Sequence, residues 1–385
     1  MEQFLDCLQG ELRRPPRTRP ERQSAHGRLS AAFGEFGRTA LGLEDRHLDL
    51  LLGGGLSDIG TQLARQARSF DSGVSVADLF QASRNAWTAC GLQTLFGDEM
   101  RLTPAIFAYS MLYPYSDNYL DAPSVPSERK RKFNLRFGRR LAGEEVTPAD
   151  EREAIIFRLV GLIEGQYLRE RYPEVFASLL RIHRAQENSL LLLRKARACP
   201  EVDVLRLSFE KGGASVLADG YLAAGRLTAA QARFVFHWGV LLQLADDLQD
   251  VREDRRDGVL TLFSQAAGEE PLDALTNKTL HFGRGVMQSM HELPGPECEA
   301  MRQLIQRSCQ SLVIRSAGEA EEFFTKGYLE TLEAHSSFRF SFLKERRRRF
   351  ARRRGLLVRL FEAFLAGDED EPAFPLLPSS LMPQF

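Results

Sequence analysis

Cysteine is sparse in this chain and never closely paired. The five cysteines, Cys7, Cys90, Cys199, Cys298 and Cys309, are scattered and form no CxxC. That argues against a disulfide framework or a zinc ribbon and fits a reduced compartment. An excess of one charge is missing too. With 51 basic and 52 acidic side chains the net charge is −1, so no polyanion is expected as a global partner. No apolar run is long enough to span a bilayer. Residues 13–22 are rich in Arg and Pro, where a signal peptide would carry an apolar core. The expected location is cytoplasmic. Alternating β-branched strand patterns with hairpin turns are scarce, which argues against a sheet.

What is present is helical periodicity. Apolar residues recur every three or four positions across residues 33–51, 155–168, 175–193 and 313–332. The expected fold is all-α, a single-domain helical bundle of roughly ten or more helices. Breaks are expected at Gly53-Gly54-Gly55, 69–73, 122–127, 142–148, Cys199-Pro200, 268–271 and Pro294-Gly295-Pro296. Residues 1–26 read as a flexible polar arm and 27–335 as the helical domain. Residues 336–366 read as a basic amphipathic helix, and 367–385 as a tail that is acidic, then Pro-rich.

Two acidic clusters carry the chemistry. The first is Asp117-Asn118-Tyr119-Leu120-Asp121, with carboxylates at i and i+4. The second runs from Asp246-Asp247-Leu248-Gln249-Asp250 through Glu253 and Asp254, with Asp246, Asp250 and Asp254 at i, i+4 and i+8. On a helix each set shares one face. Both follow strongly apolar runs, so both helices should be largely buried. Crowded carboxylates repel unless a cation or proton intervenes, and hard oxygen ligands suit Mg²⁺. The bland alternatives are a solvated acidic face for the second cluster and a helix C-terminal turn for the first. Upstream of the second cluster, Lys211-Gly212-Gly213-Ala214-Ser215 opens a helix rich in small residues. There, backbone N–H groups and an ammonium can approach a phosphate. Taken alone, this is an ordinary helix break.

Together these residues resemble the class I isoprenoid (terpenoid) synthases. Gln243-Leu244-Ala245-Asp246-Asp247-Leu248-Gln249-Asp250 is similar to the QxxDDxxD motif of chain-elongating prenyl diphosphate synthases, and Lys211-Gly212-Gly213-Ala214 lies where they carry Lys-Thr-Gly. Asp250-Val251-Arg252-Glu253-Asp254 is similar to the second motif of head-to-head synthases. Asp246, Asp250 and Asp254 stand in the register of the cyclases' metal triad. The departures lie mainly around the first motif. It has one leading aspartate rather than two, no Arg-Arg-Gly follows it, and Arg255-Arg256-Asp257 replaces the lysine expected after the second motif.

The resemblance implies a class I terpenoid synthase bundle around a central active-site cavity, holding three Mg²⁺ ions. The ligands implied are Asp117, Asp121, Asp246, Asp250 and Asp254, and Asp117, Asp121, Asp246 and Asp250 are also the catalytic set. Lys211, with Arg206, Arg129 and Arg255, is implied to contact the diphosphate of a prenyl diphosphate substrate. The expected reaction is ionisation of that substrate and cyclisation or rearrangement of the carbocation, aided by aromatic faces. The alternatives are a prenyltransferase joining two prenyl diphosphates and a non-catalytic cation-binding scaffold. Family members are often homodimers. His237 beside the cavity helix reads as structural. The basic stretch 336–366 reads as a peripheral membrane contact or as a solvated helix packed on the acidic tail, and no nucleic acid partner is expected.

Overall fold

A computed structural model of the chain describes residues 2–53, 55–122, 124–193, 202–293, 298–351, 354–368 and 371. The described residues are helical, with one isolated antiparallel bridge between Leu193 and Val259. The first helices are α1 (Glu2–Arg13), α2 (Arg19–Leu41), α3 (Asp45–Leu52), α4 (Leu56–Phe70), α5 (Val76–Phe96) and α6 (Pro104–Asp121). Then come α7 (Ser127–Leu141), α8 (Glu151–Gln166), α9 (Pro173–Ser189), α10 (Val204–Ala224), α11 (Ala229–Gln249) and α12 (Val251–Asp257). The last are α13 (Leu262–Ala266), α14 (Asp273–Ser289), α15 (Glu299–Glu319), α16 (Lys326–Glu333), α17 (Phe340–Ala351) and α18 (Arg354–Leu365). Most of the expected breaks separate these helices. Gly54, Pro123, Cys199-Pro200 and Pro294-Gly295-Pro296 lie outside the described residues.

Helix starts follow local chemistry. Thr103 begins α6, its hydroxyl accepting from the Ile106 amide, and Pro104 supplies the first turn. Thr228 and Gln231 form a reciprocal capping box on α11. Asp203 caps α10 through the Arg206 amide at 3.0 Å.

The helices α10 and α11 are the spine. Beside α10 lie α5 and α9; α11 also meets α14 and α15. Trp238 and Leu241 of α11 face one apolar cluster with α5, α14 and α15, while Val240 and Leu244 face another with α12, α13 and α15–α17. Glycine makes the α10–α11 crossing unusually close. A β-carbon built at Gly239 would lie 2.2 Å from the Gly212 carbonyl oxygen, and one at Gly212 would lie 2.6 Å from the Gly239 oxygen. The two backbones therefore touch, and only hydrogen fits between them.

Both termini depart from expectation. Residues 2–13, read as part of a flexible arm, form α1, whose Phe4, Leu5, Leu8 and Leu12 are buried in the main core. Spacings of three and four residues put these side chains on one helix face, a signal that the Arg/Pro-rich stretch after it obscured. The start of α2 is also ordered, by a capping box between Thr18 and Glu21. Within residues 336–366, Ser336–Arg339 are not helical, α17 and α18 follow, and residues 352 and 353 between them lie outside the described part. Leu360, Phe361 and Phe364 of α18 are buried in the core, where α18 meets α1, α4 and α5. That apolar face is covered by protein. Glu371 pairs with Arg22 of α2 through two hydrogen bonds, of 2.6 and 3.0 Å, and Arg65 donates to its carbonyl at 2.7 Å. This acidic residue therefore docks on α2 and α4. Residues 372–385 lie outside the described part. No helix of the described residues is long and apolar enough to cross a membrane.

Candidate functional site

The close crossing of α10 and α11 sets Lys211 opposite the second acidic cluster. Asp246 and Asp247 lie in the last turn of α11. Asp250 sits at the junction with α12, and Asp254 lies within α12. Although the helix is interrupted at Asp250, the i→i−4 hydrogen bonds continue. The Asp250 amide donates to the Asp246 carbonyl at 2.9 Å, and the Asp254 amide to the Asp250 carbonyl at 2.8 Å. The four-residue spacing therefore keeps its common face through the break. A polar cavity of about 250 Å³ is lined by Lys211, Gln243, Asp246, Asp247, Asp250 and Asp254. Its rim is closed by the Leu193–Val259 bridge and by the Leu260 amide, which donates to the Leu192 carbonyl at 2.8 Å. Gly258, at φ 75°, makes the turn that returns the chain to this pairing.

Electrostatically the cluster is short of positive charge. Burial pushes the Asp254 carboxyl up to about 7, with Asp250 and Asp246 adding to the shift. Asp247 is also pushed to about 7, by burial first, against the hydrogen bond that Gln243 donates at 2.7 Å. Asp250 is raised by burial and then by Asp246. Lys211 draws both Asp247 and Asp254 downward without cancelling the effect. One Asp247 oxygen, Oδ2, is buried with no hydrogen-bond partner. Such a cluster either holds protons near neutral pH or exchanges them for a cation. Among the described residues, no three carboxylate, histidine or cysteine side chains already converge as a metal centre.

A second cavity of about 190 Å³ continues from the first, sharing Lys211, Gln243 and Asp246. Its walls are α5 (Arg84, Thr88), α6 (Tyr113), α9 (Ile182, Gln186) and α10 (Ser215, Asp219). A third, largely apolar cavity of about 200 Å³ is lined by Trp87, Trp238, Leu242, Met301 and Leu304, and it also reaches Asp246. Arg84 lines both, 3.9 Å from an Asp246 oxygen. Asp246 thus stands where three cavities meet.

The other sequence-predicted residues are placed differently. Asp117 on α6 receives both amide hydrogen bonds of Gln186, at 3.1 and 3.2 Å, and Gln186 is what faces the second cavity. The Asp121 side chain lies outside the described residues. Arg129 is exposed on α7, and Arg206 is exposed and 3.7 Å from Asp203. Arg255 donates to the Ala267 carbonyl and lies over the Phe323 ring. None of these three arginines lines the cavities above. Among the aromatics, Tyr113 and Trp238 line cavities, whereas Phe107, Phe157 and Phe234 are core. His237 packs edge-on against Phe236 and Phe282. Sequence reasoning missed Arg84, Gln186 and Asp219. Arg84 does share a four-residue register on α5 with Thr88, but nothing local marks that face as a cavity wall.

No protein-family model matches the chain, and no curated protein is significantly similar to it.

Proposed function

We propose that this protein is a Mg²⁺-dependent class I terpenoid synthase that ionises an allylic prenyl diphosphate and cyclises or rearranges the resulting carbocation. One observation carries the reading. Asp246, Asp250 and Asp254 share a cavity with Lys211, and Asp246 also lines the largely apolar cavity of Trp87, Trp238, Leu242 and Met301. The polar end fits a diphosphate with its cations, and the rest fits a hydrocarbon. Asp246, Asp250 and Asp254 would hold the metal, and the orphaned Asp247 oxygen adds an acceptor beside them. When bound, Mg²⁺ supplies the positive charge that makes diphosphate a good leaving group. Lys211 and Arg84 would bind the diphosphate oxygens and stabilise the charge that grows on them. Asp117 lines none of these cavities; Gln186, which holds it, faces the second cavity in its place. Trp238, Trp87 and Leu242 exclude water from the cation.

The meeting of two cavities at Asp246 favours a second reading, a prenyltransferase that joins two prenyl diphosphates. The test uses purified full-length protein with Mg²⁺ and geranyl, farnesyl, geranylgeranyl or geranylfarnesyl diphosphate, alone, in pairs, and each with isopentenyl diphosphate. A hydrocarbon or alcohol from one allylic substrate supports the cyclase. A joined or lengthened product that needs two substrates supports the transferase. Diphosphate release should fall at least 100-fold in Asp246→Ala and in Asp250→Ala. Full turnover in both variants would sink either enzyme reading. Mg²⁺ binding without any turnover would leave a cation-binding scaffold.

A further inference from the structure

The second cavity is polar over most of its wall, and ionising a diphosphate does not use most of that polarity. Both α5 and α10 are largely buried, and each turns one polar stripe toward this space. On α5 the stripe is Gln81, Arg84, Asn85 and Thr88; on α10 it is Lys211, Ser215 and Asp219. Spacings of three and four residues keep each set on one face. Arg84 and Lys211 stand at the end that meets Asp246, where the diphosphate sits in the synthase reading. The lining residues include no other cation. What remains is amides, hydroxyls and one buried acid.

The hydrogen bonds already made along this wall limit what it can still bind. Gln186 donates its amide to Asp117, and Gln243 donates to Asp247 at 2.7 Å, which leaves both amide oxygens as acceptors. The Thr88 hydroxyl donates to the Arg84 carbonyl at 3.0 Å and keeps its lone pairs. Asp219 is 2% exposed, and its Oδ1 has no hydrogen-bond partner. Burial raises its carboxyl well above the usual carboxylate range, so the acid stays protonated at neutral pH and carries a donor. A second diphosphate only accepts, and here it would meet acceptors with no cation of its own. A hydroxyl compound donates and accepts at each oxygen, which matches the wall. The volume of about 190 Å³ is the share of about six waters, so the match is to a small molecule.

We propose that the second cavity binds a small neutral polyol and presents one of its hydroxyls to the prenyl cation, so that the protein forms a prenyl ether. The inference rests on the reading of Asp246, Asp250 and Asp254 as the ionising site and adds a co-substrate to it. The three cavities that meet at Asp246 then have three occupants: diphosphate with its metal, the hydrocarbon tail, and the acceptor. The allylic C–O bond breaks, and its electron pair leaves with the diphosphate. A lone pair of the polyol oxygen forms the new C–O bond to the cation. The hydroxyl O–H bond then breaks, and its proton leaves on the diphosphate. No oxidant or further reactant is consumed. Asp219 acts on binding alone, as the hydrogen-bond partner of a hydroxyl away from the reacting end.

The experiment runs the full-length protein with Mg²⁺, farnesyl or geranylgeranyl diphosphate, and glycerol or erythritol, in water enriched in ¹⁸O. Diphosphate release and product mass are read together. The expected product is a prenyl ether without ¹⁸O, and its yield should saturate as the polyol concentration rises. Asp219→Leu removes the buried partner, so the half-saturating concentration should rise about fivefold, the loss of one hydrogen bond. Thr88→Val removes a hydroxyl with little change of shape and should act in the same direction. Unchanged half-saturation in both variants overturns the assignment to this cavity. Ether in simple proportion to polyol concentration means trapping from bulk solvent and overturns the proposal. Diphosphate release with only hydrocarbon, or only alcohol labelled from water, overturns it too and leaves the synthase reading intact. No diphosphate release from any prenyl diphosphate overturns the synthase reading, and this proposal with it. Saturation in the unaltered protein decides the question even if a variant does not fold.

Discussion

Replacing Gly239 by alanine places a methyl carbon 2.2 Å from the Gly212 carbonyl oxygen, 2.9 Å from its carbonyl carbon and 3.0 Å from the Gly213 α-carbon. These are backbone atoms in a facing helix, so no rotamer change relieves them. Ordinary contact needs about 1 Å more separation of α10 from α11. Overpacking of this kind costs about 3 kcal/mol, while alanine's better helix propensity returns about 1 kcal/mol. The net expectation is a loss of about 2 kcal/mol, read as a lower denaturation midpoint at constant slope in urea. Gly161 on α8 supplies the control, because a β-carbon there meets nothing within 4 Å. Gly161→Ala should stabilise by up to about 1 kcal/mol. The same substitution thus carries opposite signs at two helical glycines. Because the crossing also sets Lys211 against the acidic cluster, Gly239→Ala should weaken Mg²⁺-dependent thermal stabilisation more than its loss of stability alone accounts for. A Gly239→Ala protein as stable as Gly161→Ala would refute the close-crossing argument.

Three further outcomes follow from the site. Arg84→Gln removes the cation 3.9 Å from Asp246, and KM for the prenyl diphosphate should rise about tenfold, the loss of one charge-assisted contact; an unchanged KM would place Arg84 outside the diphosphate site. Asp247 and Asp254 hold protons more tightly when folded, at about 7, than at the ordinary 3.8. Their contribution to metal-free stability is therefore fully present below about pH 4 and is lost as pH rises through about 7. Metal-free thermal midpoints should decline from pH 5 to pH 8, Asp247→Asn should flatten that decline, and the rise caused by Mg²⁺ should be larger at pH 8 than at pH 6. A Mg²⁺ effect independent of pH would argue that these carboxylates are not where the ion binds.

Much of this architecture is written locally. The Thr103, Asp203 and Thr228 caps set where α6, α10 and α11 start, because a cap needs only a side-chain oxygen and an amide two or three residues away. The common face of Asp246, Asp250 and Asp254 follows from helical spacing and survives the break at Asp250. Even α1 was legible in the spacing of Phe4, Leu8 and Leu12, although its polar surroundings pointed the other way. Other features depend on what a face meets. That Gly212 and Gly239 touch, that Gln186 stands between Asp117 and the cavity, and that Arg84 reaches Asp246 are facts about pairs of helices distant in sequence. So is the burial of Asp219, whose sequence neighbours give no sign that its carboxyl meets a cavity with one oxygen unpartnered. Periodicity says which side chains share a face. Only packing decides whether that face meets core, cation or empty space, and burial then sets the charge state of the acids found there.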